Sequence, residues 1–237
     1  MDIKGRKAVV FGGTSGIGLA TTTILADGGA EVVAISRDPS KADALPDRVT
    51  TRACDVRDSA AMETLLAELA PFDILVSAAT GGERAIGPFV EMEIDGFKGS
   101  FDKLWGYANV VRYGAQHLRD EGSITLVSGS PARAYPKDLS ALSAVGGAVE
   151  ALVKTVAREI APAKRINVVS PGVIDTPMMV IEDPAERAAA YTGMTQDHLI
   201  PRAGLPEEVA QGLLFVIAND FVTGTIVDVD GGWLLSD

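Results

Sequence analysis

Apolar residues fall along this chain in two alternating rhythms. Short β-branched runs such as "KAVVF" and "DILV" are separated by longer stretches with helical spacing, such as "IGLATTTILADGG". The short runs predict strands in "KAVVFGG", "AEVVAISR", "RVTTRACDV", "DILVSAA", "GSITLVSGS", "RINVVSPG" and "GTIVDVDGG". A first helix closes at the pair Gly28 and Gly29. A second, "DSAAMETLLAEL", takes Asp58 or Ser59 as its N-cap and stops before Pro71. "DGFKGSFDKLWGYANVVRYGAQHL" reads as one long helical region, and "LSALSAVGGAVEALVKTVAREI" as another that ends near Pro162.

Strands as continuously apolar as "DILV" are buried on both faces, which a parallel sheet between two helix layers requires. The alternation therefore predicts an α/β fold: a doubly wound parallel sheet of about seven strands with helices on both faces, in one domain over 1–237. The irregular stretch around 177–205, with a short helix expected in "DPAERAAAY", is placed to cover a ligand crevice as a substrate lid.

Composition narrows the function. Hydrophobic residues make up 47% of the 237 and aromatics only 5%, so the core is built from Ala, Val, Leu and Ile. A formal charge of -11 argues against nucleic acid or an anionic membrane as partner. Cys54 is the single cysteine, so no intrachain disulfide is available; it reads as a small buried hydrophobe in a reducing cytoplasm. With His117 and His198 the only histidines, no metal site is expected. The apolar run in "MDIKGRKAVVFGG" is too short for a signal peptide, and no apolar stretch is expected to span a bilayer.

Chemistry enters at "GGTSGIG", which sets Gly12, Gly16 and Gly18, with Thr14, Ser15 and Ile17, between the first strand and the first helix. Backbone approaches a pyrophosphate closely only where Cβ atoms are absent, and a helix N-terminus adds free N–H donors. The second strand ends on Ser36 and Arg37, a hydroxyl and a guanidinium suited to a 2′-phosphate. This predicts NADP(H) in preference to NAD(H), although Asp38 follows at once.

These residues together resemble the short-chain dehydrogenase/reductase family over nearly the whole chain. "GGTSGIG" is similar to the family's TGxxxGIG, and Asp55 with Val56 in "CDV" to its adenine-contacting segment. Ser77, Ala78, Ala79 and Thr80 stand where the family has NNAG. Pro171, Gly172, Val173, Ile174 and Thr176 resemble the loop that holds nicotinamide, and "VDVDGGW" resembles a common ending. The resemblance implies a nicotinamide dinucleotide, a small-molecule substrate and a homotetramer or homodimer.

The catalytic pattern departs from the family's. Leu142 stands at the tyrosine of YxxxK and Gly146 at its lysine. Lys103 replaces the helical asparagine, and strict spacing puts the serine at Gly129, between Ser128 and Ser130. Leucine offers no proton, so the candidates for catalysis are Lys103, Ser128 and Tyr135. Lys103 is expected to lay its stem into space left at Gly146; Tyr107, one turn on, is expected to pack in the core, with orienting Lys103 as the alternative. An oxidoreductase with a replaced catalytic set competes with a catalytically silent nucleotide sensor and with a non-redox enzyme on the same fold.

Overall fold

A computed structural model describes residues 1–42, 44–80 and 82–236. Seven parallel strands form one sheet: β1 (Lys7–Phe11), β2 (Glu31–Ser36), β3 (Val49–Ala53), β4 (Phe72–Ser77), β5 (Leu118–Val127), β6 (Arg165–Pro171) and β7 (Ile226–Val229). Their order is β3-β2-β1-β4-β5-β6-β7. The expected doubly wound sheet is what forms.

Alternation within each strand sorts side chains to two cores. Ala8, Val10, Ile74, Val76 and Val169 meet the helices α1 (Gly16–Asp27) and α8 (Pro206–Ala218) through Leu25, Val209, Leu213 and Val216. Val9, Phe11, Leu75, Ile124, Leu126, Ile166 and Val168 meet α2 (Ser59–Leu69), α4 (Asp102–Gly114) and α6 (Ser140–Ile160) on the opposite face. Because β1 pairs with both β2 and β4, strand order reverses there, which opens a crevice at the carboxyl ends of the strands.

Asp58 is the N-cap of α2, its carboxylate accepting from the Ala61 N–H at 3.0 Å. Cys54 is buried, and burial pushes its thiol up. The expected single helix over 95–118 divides at Phe101 into α3 (Ile94–Ser100) and α4. Gly96 and Gly99 weaken α3, and the Ser100 hydroxyl turns back to the Gly96 carbonyl at 3.1 Å while accepting from the Ala85 N–H at 2.9 Å. The end of the predicted helix, from Leu118, belongs to β5.

After the short turn α5 (Pro131–Ala134), α6 runs for 21 residues with a mean hydropathy of 1.3 over its most apolar window. By length and composition it reaches the threshold for a membrane span, contrary to expectation. Its Val149, Val153 and Ala157 pack against the sheet as core residues do. Beyond β6, α7 (Pro184–Thr195) is longer than the short helix expected within 177–205. The sequence reading named no element for α8, which starts with Pro206 while the Glu208 carboxylate accepts from the Leu205 N–H at 2.7 Å.

Arg165 fastens the carboxyl end of α8 to β6. Buried, it donates to the carbonyls of Val216 (2.8 Å), Ile217 (2.7 Å) and Val222 (3.0 Å) and pairs with Asp220 at 3.3 Å. Arg165→Met strips the buried Val216 and Ile217 carbonyls of their side-chain donor, while the Val222 carbonyl keeps Asn167 Nδ2, so it should lower stability by about 2 kcal/mol, a fall in Tm of roughly 4–8 °C by circular dichroism. An unchanged Tm would mean that water satisfies these carbonyls.

Candidate active site at the carboxyl edge of the sheet

The glycine turn is shaped by what would collide with a side chain. Gly12 has φ +75°, and a Cβ there would stand 2.8 Å from the Ala79 nitrogen and 2.9 Å from the Ala78 carbonyl carbon. A Cβ on Gly18 would sit 2.0 Å from the Gly12 oxygen, so α1 begins directly against the turn. Gly16, with φ +48°, lies beside the Thr176 side chain at 3.4 Å. Three segments singled out in the sequence thus meet: the turn, Ala78–Ala79 leading to Thr80, and the loop ending at Thr176.

The turn is built to receive an anion. Ser15 is the N-cap of α1 but makes no side-chain cap hydrogen bond, and the first helical turn carries no acid. The N–H groups at the start of α1 are therefore open to an oxyanion, with the helix dipole favouring it. Thr14 is buried and Ile17 packs into the α1–α8 core. These features fit a dinucleotide pyrophosphate.

At the end of β2, the buried Ser36 hydroxyl has no partner among the described residues, while Arg37 is exposed. Asp38 is turned to its own chain: its carboxylate accepts from Ser40 Oγ (2.6 Å) and Ser40 N (3.2 Å) and pairs with Lys41 at 3.2 Å. Those donors hold it below the usual carboxylate range. Asp55 is similarly engaged, accepting from the Arg57 N–H at 2.9 Å and from its guanidinium at 2.7 Å. Arg57 extends the link to Asp102 on α4 at 3.1 Å, and the Val56 carbonyl accepts from Asn109 Nδ2 at 2.9 Å.

The loop after β6 is pinned from two sides. A Cβ on Gly172 would meet Asp230 Cα at 2.7 Å, and Ile174 bridges to Gly204. From α7, Arg187 pairs with Asp175 and donates to the carbonyls of Thr176 (2.7 Å) and Met179. Behind this loop His198 stacks on Trp233 with ring centroids 5.1 Å apart.

The catalytic candidates separate. Lys103 is half-buried, and its ammonium donates to the Ser128 carbonyl at 3.1 Å and lies 5.5 Å from the Tyr107 ring centroid. Tyr107 is itself fixed, its hydroxyl donating to the Val127 carbonyl at 2.9 Å. Burial of the ammonium, with the nearby charge of Arg84 second, pulls the Lys103 pKa down to about 8. The Ser128 hydroxyl turns to the Gly146 carbonyl at 3.3 Å, with Glu150 Oε1 at 3.5 Å. Tyr135 ends α5 in the left-handed region (φ 51°) and is 74% exposed.

One expectation needs correction. The Lys103 stem does not fill space at Gly146, because α5 already does. A Cβ on Gly146 would lie 2.8 Å from Ala132 Cβ and 3.2 Å from Ser128 Oγ. Arg133 anchors α5 through Glu150 at 3.2 Å and through Asp228. The glycine is therefore required by a close approach between two helices. Sequence reasoning also passed over Arg84 and the hydroxyls of Ser140 and Ser143, which are buried without partners among the described residues on either side of Leu142. The motif-free spacing of these residues gave no signal, apart from an arginine standing just past the end of a strand.

Comparison with known proteins gives the class. The family model described as Enoyl-(Acyl carrier protein) reductase matches residues 12–234. Galactitol 2-dehydrogenase of Rhizobium johnstonii is 34% identical, the match covering 98% of this chain and 96% of that protein. Among solved structures, ligand-free aldohexose dehydrogenase (AldT) of Thermoplasma acidophilum superposes with a TM-score of 0.88 at 28% identity, over 100% of this chain and 96% of that one. An NADPH-bound short-chain oxidoreductase of Pseudomonas aeruginosa PAO1 containing an atypical catalytic centre gives 0.85 at 26% identity, over 96% of both chains. The chain belongs to the short-chain dehydrogenase/reductase family, and its relatives are oxidoreductases that use nicotinamide cofactors.

Since Ala132 closes the space over Gly146, a long side chain at this position should strain the fold. Gly146→Lys is expected to lower stability by about 1–3 kcal/mol, read as a lower Tm. A melt at or above that of the unaltered protein would show that α5 yields freely.

Proposed function

We propose that this protein is an NADP(H)-dependent oxidoreductase that interconverts a small, mainly apolar carbonyl compound and its alcohol through a replaced catalytic set. The observation that carries the reading is the Lys103 ammonium, held at the carboxyl end of β5 by the Ser128 carbonyl and brought to a pKa of about 8. The nicotinamide nucleotide, when bound, supplies or accepts the hydride. Gly12, Thr14, Ser15, Gly16, Ile17 and Gly18 would hold its pyrophosphate. Ala78, Ala79, Thr80 and the loop Pro171, Gly172, Val173, Ile174 and Thr176 would flank it. Asp55 and Val56 would border the adenine.

A carbonyl oxygen gaining charge needs a proton from a group poised near the working pH, and Lys103 is such a group. In reduction it gives the proton to the oxygen; in oxidation its neutral amine takes it back. Ser128 contributes its carbonyl as the anchor for that amine, and Tyr107 limits where the stem can lie. Met178 and Val180, exposed on the loop after β6, supply an apolar wall for the substrate. Ser36 and Arg37 favour a 2′-phosphate, and the carboxylate that would repel one, Asp38, is bound to Ser40 and Lys41. Exposed Trp105, Phe215 and Phe221 suit a homodimer or homotetramer, and the unpaired Cys54 suits the cytoplasm.

A second reading, a silent NADP(H) sensor, draws support from Leu142 and from the Ser128 hydroxyl being turned toward Gly146. Lys103→Met separates the two. The redox reading expects kcat to fall about 10²–10⁴-fold while the NADPH Kd stays within about twofold. Tight NADPH binding without turnover across a carbonyl and alcohol panel favours the sensor.

Reduction should slow as pH rises through about 8, where Lys103 loses its proton, and oxidation should quicken; Lys103→Met should lack that inflection. Stability carries the same signature. The folded pKa lies below the unfolded one, so the cost of burying the ammonium is full below about 8 and is relieved as pH climbs toward 10.5. The rise in Tm across that window should flatten in Lys103→Met. Arg37→Ala is expected to weaken NADPH about tenfold or more and leave NADH unaffected, measured by fluorescence titration; equal losses for both would refute the 2′-phosphate assignment.

A further inference from the structure

The protein carries a net charge of -11, yet the mouth of its crevice holds two cations without acids. Arg84 lies in the loop that follows β4, and its guanidinium reaches Met178 Sδ on the loop that follows β6. In the sheet β5 lies between those strands, so the arginine crosses over the carboxyl end of β5, where Ser128 holds Lys103. Among the described residues neither Arg84 nor Lys103 has a carboxylate within ion-pair distance. The exposed neighbour Glu83 forms no pair with either cation. Their hydrogen-bond partners are a thioether and a peptide carbonyl.

Two like charges brought together are ordinarily separated or neutralised. Three other arginines on this side of the fold are neutralised, Arg57 by Asp55 and Asp102, Arg133 by Glu150 and Asp228, and Arg187 by Asp175, while exposed Arg37 stands apart at the end of β2, where the nucleotide's 2′-phosphate would meet it. Arg84 is exposed at this mouth with no acid opposing it, and its charge helps to lower the pKa of Lys103, after burial of the ammonium itself. Near the carboxyl end of β5 the counter-charge is therefore missing for both cations among the described residues.

We propose that the counter-charge arrives with the substrate: the carbonyl compound carries a carboxylate, placed near its carbonyl group and bound by Arg84. This is an oxo acid, or the corresponding hydroxy acid in the reverse direction. A planar carboxylate suits the fork of a guanidinium. The same anion stabilises the Lys103 ammonium beside it, while Met178 and Val180 receive an apolar side chain. The proposal rests on the redox reading for the fate of the carbonyl, but anion capture by Arg84 stands separately.

The probes are 4-methyl-2-oxopentanoate, its methyl ester, the neutral ketone 4-methyl-2-pentanone, and the phosphate monoester of hydroxyacetone. Binding to the full chain with NADP⁺ is measured by calorimetry, and turnover with NADPH by nicotinamide absorbance. The acid should bind at least about tenfold more tightly than its ester, and that margin should shrink as salt is raised. Arg84→Gln should abolish the margin, Arg84→Lys should restore part of it, and neither should alter the NADPH Kd. Equal binding of acid and ester overturns the proposal, as does tighter binding of the phosphate ester than of the acid. A weaker NADPH Kd in Arg84→Gln assigns the arginine to the nucleotide and also overturns it. Selective acid binding without turnover keeps the anion site and removes the redox reading; turnover of ketone and acid alike keeps the redox reading and removes the anion site.

Discussion

The Lys103 ammonium occupies a half-buried place with one carbonyl as its hydrogen-bond acceptor and no carboxylate among the described residues, and much of the crevice follows from keeping it there. A cation taken from water without a partner is costly, so the surroundings must either fix it or lower its pKa. Here both occur. Tyr107 is immobilised by the Val127 carbonyl and sets the path of the lysine stem, while burial brings the pKa to about 8. A pKa in that range is what a proton donor and acceptor at near-neutral pH requires.

Gly146 belongs to the same constraint from the other side. The carboxyl end of β5 is a narrow place: Ser128 anchors Lys103 through its carbonyl and touches α6 through its hydroxyl. The turn α5 then folds down so that Ala132 lies against α6, tolerable only where Gly146 has no side chain. The Arg133 bridge to Glu150 and Asp228 holds this arrangement to the sheet. Gly146 is thus coupled to the close packing of α5 on α6, and the Lys103 ammonium reaches the same strand end from α4.

Much of this was legible in the sequence wherever a residue type has few structural uses. The strands followed from β-branched runs, and the turn at Gly12–Gly18 from the exclusion of Cβ atoms, later visible as contacts near 2–3 Å. Leu142 and Gly146 stand where the family resemblance leads one to expect a tyrosine and a lysine. The break at Phe101 was not legible, since it depends on the Ser100 hydroxyl, which turns back to the Gly96 carbonyl and accepts from the Ala85 N–H in the loop before α3. Helix α8 was passed over, since its start depends on Glu208 reaching back to the Leu205 N–H. The reason for Gly146 lay in Ala132, brought close by a turn that no periodicity announces. Arg84 was invisible for the same reason: its significance is positional, set by two loops meeting across β5.

The most direct test of the account is the titration of Lys103 itself. With ¹⁵N-labelled lysine, the side-chain nitrogen resonances are followed by NMR from pH 6 to 11, and the Lys103 signal is assigned by its absence in Lys103→Met. The account predicts one resonance titrating at about 8. Titration of every lysine near the ordinary value of about 10.4 would contradict it, since an ammonium with an unperturbed pKa is neither buried nor poised to exchange a proton with a substrate.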